Sequence, residues 1–117
     1  MFEPAITLAS DGFAISPRLH ALLKDMGAAN FAAAPRALYF SDAGEPRPVG
    51  GLLKNPALAA TLQTVAREGA DAFYRGEIAE AMVTAAADAP NHKGDVSLQD
   101  LAAYQAKERP AVCVPYR

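Results

Sequence analysis

The stretch that decides the fold is residues 52–83, LLKNPALAATLQTVAREGADAFYRGEIAEAMV. Asn55-Pro56 is a helix start. Asparagine stands at the cap, and a proline follows at the first helical position, where its missing N–H and fixed φ do no harm. Leu58, Leu62, Val65 and Ala66 then recur at helical spacing and are expected to form a buried stripe. Gly69 ends this helix. Residues 70–74 add one more turn with Phe73 pointing inward, and Gly76 breaks the chain again. Ile78, Ala81, Met82 and Ala85 mark the next helix, which runs out near Asp88-Ala89-Pro90. Two helices joined by a glycine-marked break, with no obvious chemistry between them, point to a mainly α fold.

The flanking segments repeat the same devices. Pro4 suits a first helical turn, with Phe2, Ile6 and Ala9 at helical spacing and Gly12 as the stop. Ser16-Pro17 is another capped start. Leu19, Leu22, Leu23 and Met26 fall at i, i+3, i+4 and i+7, a single apolar stripe that Gly27 ends. Residues 28–40, AANFAAAPRALYF, fit either a short helix into Phe40 or a strand from Ala37. SDAGEPRPVGG (41–51) holds three glycines and two prolines and reads as a loop, with a brief β-bridge near residues 49–53. Ser97 and Asp100 resemble a capping box with Asp in place of Glu, and Leu98, Leu101 and Tyr104 face one side of the last helix. Arg109-Pro110 then turns the chain to extended structure, and RPAVCVPYR (109–117) alternates like a strand. The expected fold is therefore mainly α: a single helical domain over 1–117 with about five short helices and a C-terminal extended strand. Four or five buried apolar side chains per helix, each contributing about 1.5–3 kcal/mol, are expected to hold it together.

Composition excludes several functions. The 117 residues are 51% hydrophobic with 27 alanines, no tryptophan and a formal charge of −2. That is a globular composition rich in helix formers, not a disordered one. Lys and Arg are scattered among acids, so nucleic acid is not an expected partner. The apolar runs are far short of a membrane span. The single cysteine, Cys113, excludes an intrachain disulfide. The opening MFEPAITLAS is not a signal peptide, and the reading expects both ends to be cut from a longer chain.

No candidate for chemistry is specific. His20 and His92 are far apart in sequence and neither has a second ligand at metal spacing. His20 reads as a partly buried neighbour of the Leu19, Leu23 stripe, and His92 as a solvated turn residue. Glu77 and Glu80 stand one helical turn apart, but on the face opposite Ile78 and Met82, which reads as solvated. GGLLK (50–54) lacks the spacing and the Lys-Ser/Thr pair of a phosphate loop. Cys113 reads as a small packed hydrophobe on a strand rather than a nucleophile. Ser16, Asn55 and Ser97 read as helix caps.

Three stretches taken in order resemble one family. FEPAITLASDGFAISPRL (2–19), GEPRPVGGLLKNPALAATLQTVAREGADAFYRGEIAEAMV (44–83) and GDVSLQDLAAYQAKERPAVCVPYR (94–117) are similar to consecutive pieces of the large subunit of gamma-glutamyltranspeptidases. The marks are G-x-P, then G-x-x-L-x-N-P-x-L-A-x-T-L, then G-x-x-x-F-Y-x-G-x-I-A, then D-L-A-x-Y, E-R-P and Y-R. The resemblance implies an αββα N-terminal-nucleophile hydrolase. Its precursor cuts itself, and the new N-terminal Thr of the small subunit attacks the gamma-glutamyl amide of glutathione or a related compound, its own α-amino group serving as base. The acyl group then passes to water or to an amine.

The resemblance also implies where the reactive groups lie. The family's nucleophilic Thr and glycine-rich oxyanion segment fall downstream of Tyr116-Arg117. The arginine that clamps the substrate α-carboxylate falls upstream of Phe2. No catalytic, substrate-binding or metal residue is therefore expected here, and no cofactor. The chain is expected to be a structural fragment of the large subunit, inactive alone. Its implied partners are the remainder of that subunit and the small subunit, with self-association through exposed apolar surface as a further expectation. The C-terminal strand, without sheet partners, is expected to pair with a second copy, fold back as a hairpin or fray. The family implies a periplasmic or secreted location, with cytoplasmic relatives. Two alternatives stay open: a free-standing helical interaction module, and a related N-terminal-nucleophile acylase.

Overall fold

A computed structural model describes residues 1–90 and 92–116. The chain divides into two compact units, Met1–Glu68 and Gly69–Arg117.

The first unit opens with α1 (Glu3–Asp11), β1 (Phe13–Ala14) and α2 (Pro17–Met26). A 3-10 turn (Ala28–Asn30), α3 (Ala33–Tyr39), β2 (Leu52–Leu53) and α4 (Pro56–Glu68) follow. Residues 33–39 thus take the helical of the two alternatives. Ser16 caps α2, its hydroxyl accepting from Leu19 N at 3.1 Å. Asn55 caps α4, its Oδ1 accepting from Leu58 N at 3.0 Å. Each cap satisfies one of the donors that a helix start leaves open.

β1 and β2 pair antiparallel, with Phe13 opposite Leu53 and Ala14 opposite Leu52. The bridge near residues 49–53 was expected, but its partner strand was not, because two residues carry no periodicity. Hydrogen bonds between Ile15 and Gly51, and from Asn55 N to Ala9 O at 2.8 Å, extend this junction. It draws α1 against α4. Ile15, the largest fully buried side chain, sits beside it. A second cluster joins Leu23, Ala28 and Phe40, with Leu19, Phe31 and Tyr39 packed around them.

The second unit holds α5 (Ala70–Arg75), α6 (Glu77–Ala87) and α7 (Leu98–Ala103). α5 packs on α6 and α7. Tyr74 stacks on Tyr104 with centroids 5.3 Å apart, and Arg75 Nη2 donates to Ala102 O at 3.1 Å. Gly94 N donates to Ala86 O at 2.8 Å, folding the loop after α6 back onto that helix.

Several expected stripes are displaced. In α4 the buried residue is Ala59, while Leu58 is exposed and Leu62 and Val65 are half-buried. In α6 the inward line is Ala79, Val83 and Ala86; of the expected Ile78, Ala81, Met82 and Ala85, Ile78 is half-buried and the other three are exposed. In α2, Leu23 is buried and Leu19 half-buried, but Leu22 and Met26 are exposed. In α4 and α6 alanine explains the shift: helices meet most closely where side chains are smallest, so alanines 59 and 79 take the contact line and larger side chains flank it. Residues 104–116 form no strand ladder, and Val112, Val114 and Tyr116 are exposed. The alternating pattern there is not matched by a partner strand among the described residues.

Candidate functional site

The helix-cap side chains are occupied locally. The hydroxyl of Ser97 accepts from Asp100 N at 3.2 Å, and Asp100 Oδ2 accepts from Ser97 N at 2.9 Å and from Ser97 Oγ at 2.6 Å. This is the expected capping box. The hydrogen bonds from the Ser97 hydroxyl and backbone hold the Asp100 carboxyl below its ordinary value, because they favour the charged form. Glu77 and Glu80 are exposed in the first turn of α6, where negative charge suits the helix dipole. His92 is exposed in the loop after α6.

The 50–54 segment does not offer free amides to a phosphate. Gly50 N donates to Ile15 O at 2.8 Å and Gly51 N to Pro48 O at 3.0 Å. Cys113 corrects the sequence reading. It is exposed, not packed, because the segment that carries it joins no sheet among the described residues.

One polar constellation was not anticipated. Arg47 Nε donates to Leu38 O at 2.7 Å, and Nη2 donates to Ala37 O at 3.0 Å. Its backbone N donates to Tyr39 O at 3.0 Å. A guanidinium here satisfies carbonyls that the end of α3 leaves open, and its charge suits that end of the dipole. His20 Nδ1 lies 2.9 Å from Arg47 O. A carbonyl only accepts, so Nδ1 carries the proton. Together the two side chains pin the 41–51 loop to α2 and α3. The only sequence signal was a cation between two prolines, at a point where neither proline has an N–H of its own to offer. Among the described residues, no group of three or more His, Cys, Asp or Glu lies together as a metal site. Nor, among the described residues, is any helix long and apolar enough to cross a membrane.

An apolar groove lies open in the first unit, beside a cavity of about 420 Å³ whose lining includes Arg36, Ser41 and Asp42. A cavity of about 240 Å³ runs between α1, β2 and α4 and adjoins a wider one of about 670 Å³ between α3 and α4. Leu38, Tyr39, Asn55 and Leu58 line both. Neither cavity is lined by a charged side chain.

The family model described as Gamma-glutamyltranspeptidase matches residues 1–117, and the chain belongs to that family. The glutathione hydrolase proenzyme of Arthroderma benhamiae is 38% identical over 120 residues, covering 100% of this chain and 20% of the relative. The gamma-glutamyltranspeptidase of Helicobacter pylori superposes with a TM-score of 0.76 at 30% identity, covering 88% of this chain and 29% of that one. The transpeptidase CapD of Bacillus anthracis does so with a TM-score of 0.74 at 29% identity, covering 89% and 34%. The chain thus spans about a fifth of the length of the curated relatives it matches. It is a mainly helical segment of an N-terminal-nucleophile hydrolase fold.

Proposed function

We propose that this chain is a supporting helical segment of the large subunit of a gamma-glutamyltranspeptidase, with residues 1–117 acting as one helical domain of that subunit. The parent enzyme hydrolyses or transfers the gamma-glutamyl group of glutathione or related amides. It does so through an N-terminal Thr that is not among these residues. The Thr hydroxyl attacks the amide carbonyl, the amine leaves, and the resulting ester passes its acyl group to water or to an acceptor amine. The segment contributes no reacting group, and its partners are the rest of the large subunit and the small subunit.

The observation that carries this reading is the match of the family model along the whole of 1–117, in a chain that spans a fifth of its relatives. The use of Ser16, Asn55 and Ser97 as helix caps supports it. The test compares the parent polypeptide with the 117-residue chain on a chromogenic gamma-glutamyl amide. The parent is expected to split into two chains and release the chromophore, while the chain alone gives no turnover. Turnover by the chain alone overturns the proposal.

The exposed Leu22 and Met26 of α2 favour the second reading, a free-standing interaction module. It predicts tight, specific capture of an unrelated protein by the chain, lost on Leu22→Glu.

A further inference from the structure

The open groove in the first unit has features of a seat rather than of a solvent-facing surface. Charged residues make up 21% of the chain, yet none lines either cavity. Leu8, Phe13 and Leu58 on its walls are 54%, 39% and 46% exposed. Ala34, Ala37 and Ala57 line the wider end, so a backbone can approach closely there. Large apolar side chains around a concave floor that no charged side chain lines mark a surface that is covered in use.

We infer that this groove receives an uncharged, apolar segment supplied by the rest of the parent polypeptide. The inference rests on the proposed function. About four-fifths of the length of the relatives lies outside the matched region. A segment of the same polypeptide meets the groove at a high effective concentration. It therefore needs no charged rim to steer it, unlike a partner that arrives by diffusion. A second copy of the chain fits poorly. A two-fold contact must be self-complementary, and a groove needs a ridge. The exposed apolar side chains this unit offers off the groove, Leu22 and Met26 on α2 with Val49 and Leu52, would make a heterologous contact, which closes into a ring or grows into open chains rather than pairing two copies.

The test coexpresses the 117-residue chain with a relative's polypeptide from which the matched segment has been removed. Wild type, Leu58→Glu, Leu8→Lys and Leu22→Glu are compared by affinity and by circular dichroism. Leu58 stands at the third position of α4, where an acidic residue suits the helix start, so that variant is expected to fold. Leu8→Lys, on another wall, is the check if it does not. The expected result is that Leu58→Glu and Leu8→Lys weaken association at least about tenfold while Leu22→Glu leaves it unchanged. Equal binding by all four variants overturns the inference but keeps the proposed function. Loss of self-association by Leu58→Glu in sedimentation velocity overturns it in favour of a second copy. Failure of the wild-type chain to associate at all sinks the proposed function with it.

Discussion

At the residue scale, Gly12 is the glycine of the first unit where a side chain is tolerated least. Its φ is +93°, and a Cβ there would stand 2.8 Å from Leu52 Cγ and from Lys54 Cγ, and 2.9 Å from Leu53 O. The two side chains can swing aside; the strand carbonyl cannot without breaking the β1–β2 junction. Gly50 also has a positive φ, +79°, but open space where its Cβ would be. Alanine at Gly50 therefore meets backbone strain alone, about 1–2 kcal/mol. Alanine at Gly12 meets strain and a backbone clash together, about 3 kcal/mol. In urea unfolding followed by circular dichroism, Gly12→Ala is expected to lower the midpoint clearly more than Gly50→Ala. Equal shifts would show that the junction yields easily.

At the scale of elements, the helix starts were legible in the sequence and the helix faces only in part: the expected Ile6 and Ala9 of α1 and Leu23 of α2 are buried, while the lines of α4 and α6 are displaced. Caps at Ser16, Asn55 and Ser97 act on backbone groups three residues away, so local pattern suffices to read them. Which face is buried depends on how near a neighbour comes. Alanines 59 and 79, which look neutral in a hydrophobic pattern, decide that here. The Arg47 clamp was illegible for the same reason, since its partners lie eight to ten residues back across a loop. α7 shows what a local cap does. The Ser97 hydrogen bonds hold the Asp100 carboxyl below its ordinary value of 3.8 in the folded chain. A carboxyl whose folded pKa is depressed stabilises the fold fully above the unfolded pKa, and that contribution is lost as pH falls through the folded value. The start of α7 is therefore expected to be unaffected by pH down to the ordinary carboxylate range and to loosen below it. Side-chain carboxyl shifts followed by NMR are the readout, and in Ser97→Ala the Asp100 midpoint is expected to rise toward 3.8. An unmoved midpoint would mean that the box does not form in solution.

For the molecule as a whole, the distribution of burial separates a segment from a self-sufficient domain. The large buried side chains, Ile6, Ile15, Leu23, Phe40 and Leu53, all belong to Met1–Glu68. Within Gly69–Arg117 the buried residue is Ala79, with Phe73, Ile78 and Leu101 half-covered. The sequence had suggested four or five buried apolar side chains per helix; none of the helices reaches that. A unit of this size buries too little of its surface to offset chain entropy with much to spare. In the free chain, the amides of α5, α6 and α7 are therefore expected to exchange hydrogen quickly, well before those around Ile15 and Phe40. A partner that binds only the folded form adds stability by mass action, about 2.7 kcal/mol at a hundred times its dissociation constant. Adding the remaining polypeptide of a relative should accordingly slow exchange in residues 70–103 by about a hundredfold under those conditions. Slow exchange throughout the free chain, unchanged by that addition, would identify a domain that needs no larger enzyme to complete it. The weakness of the second unit's core would then have been offset by some interaction other than burial.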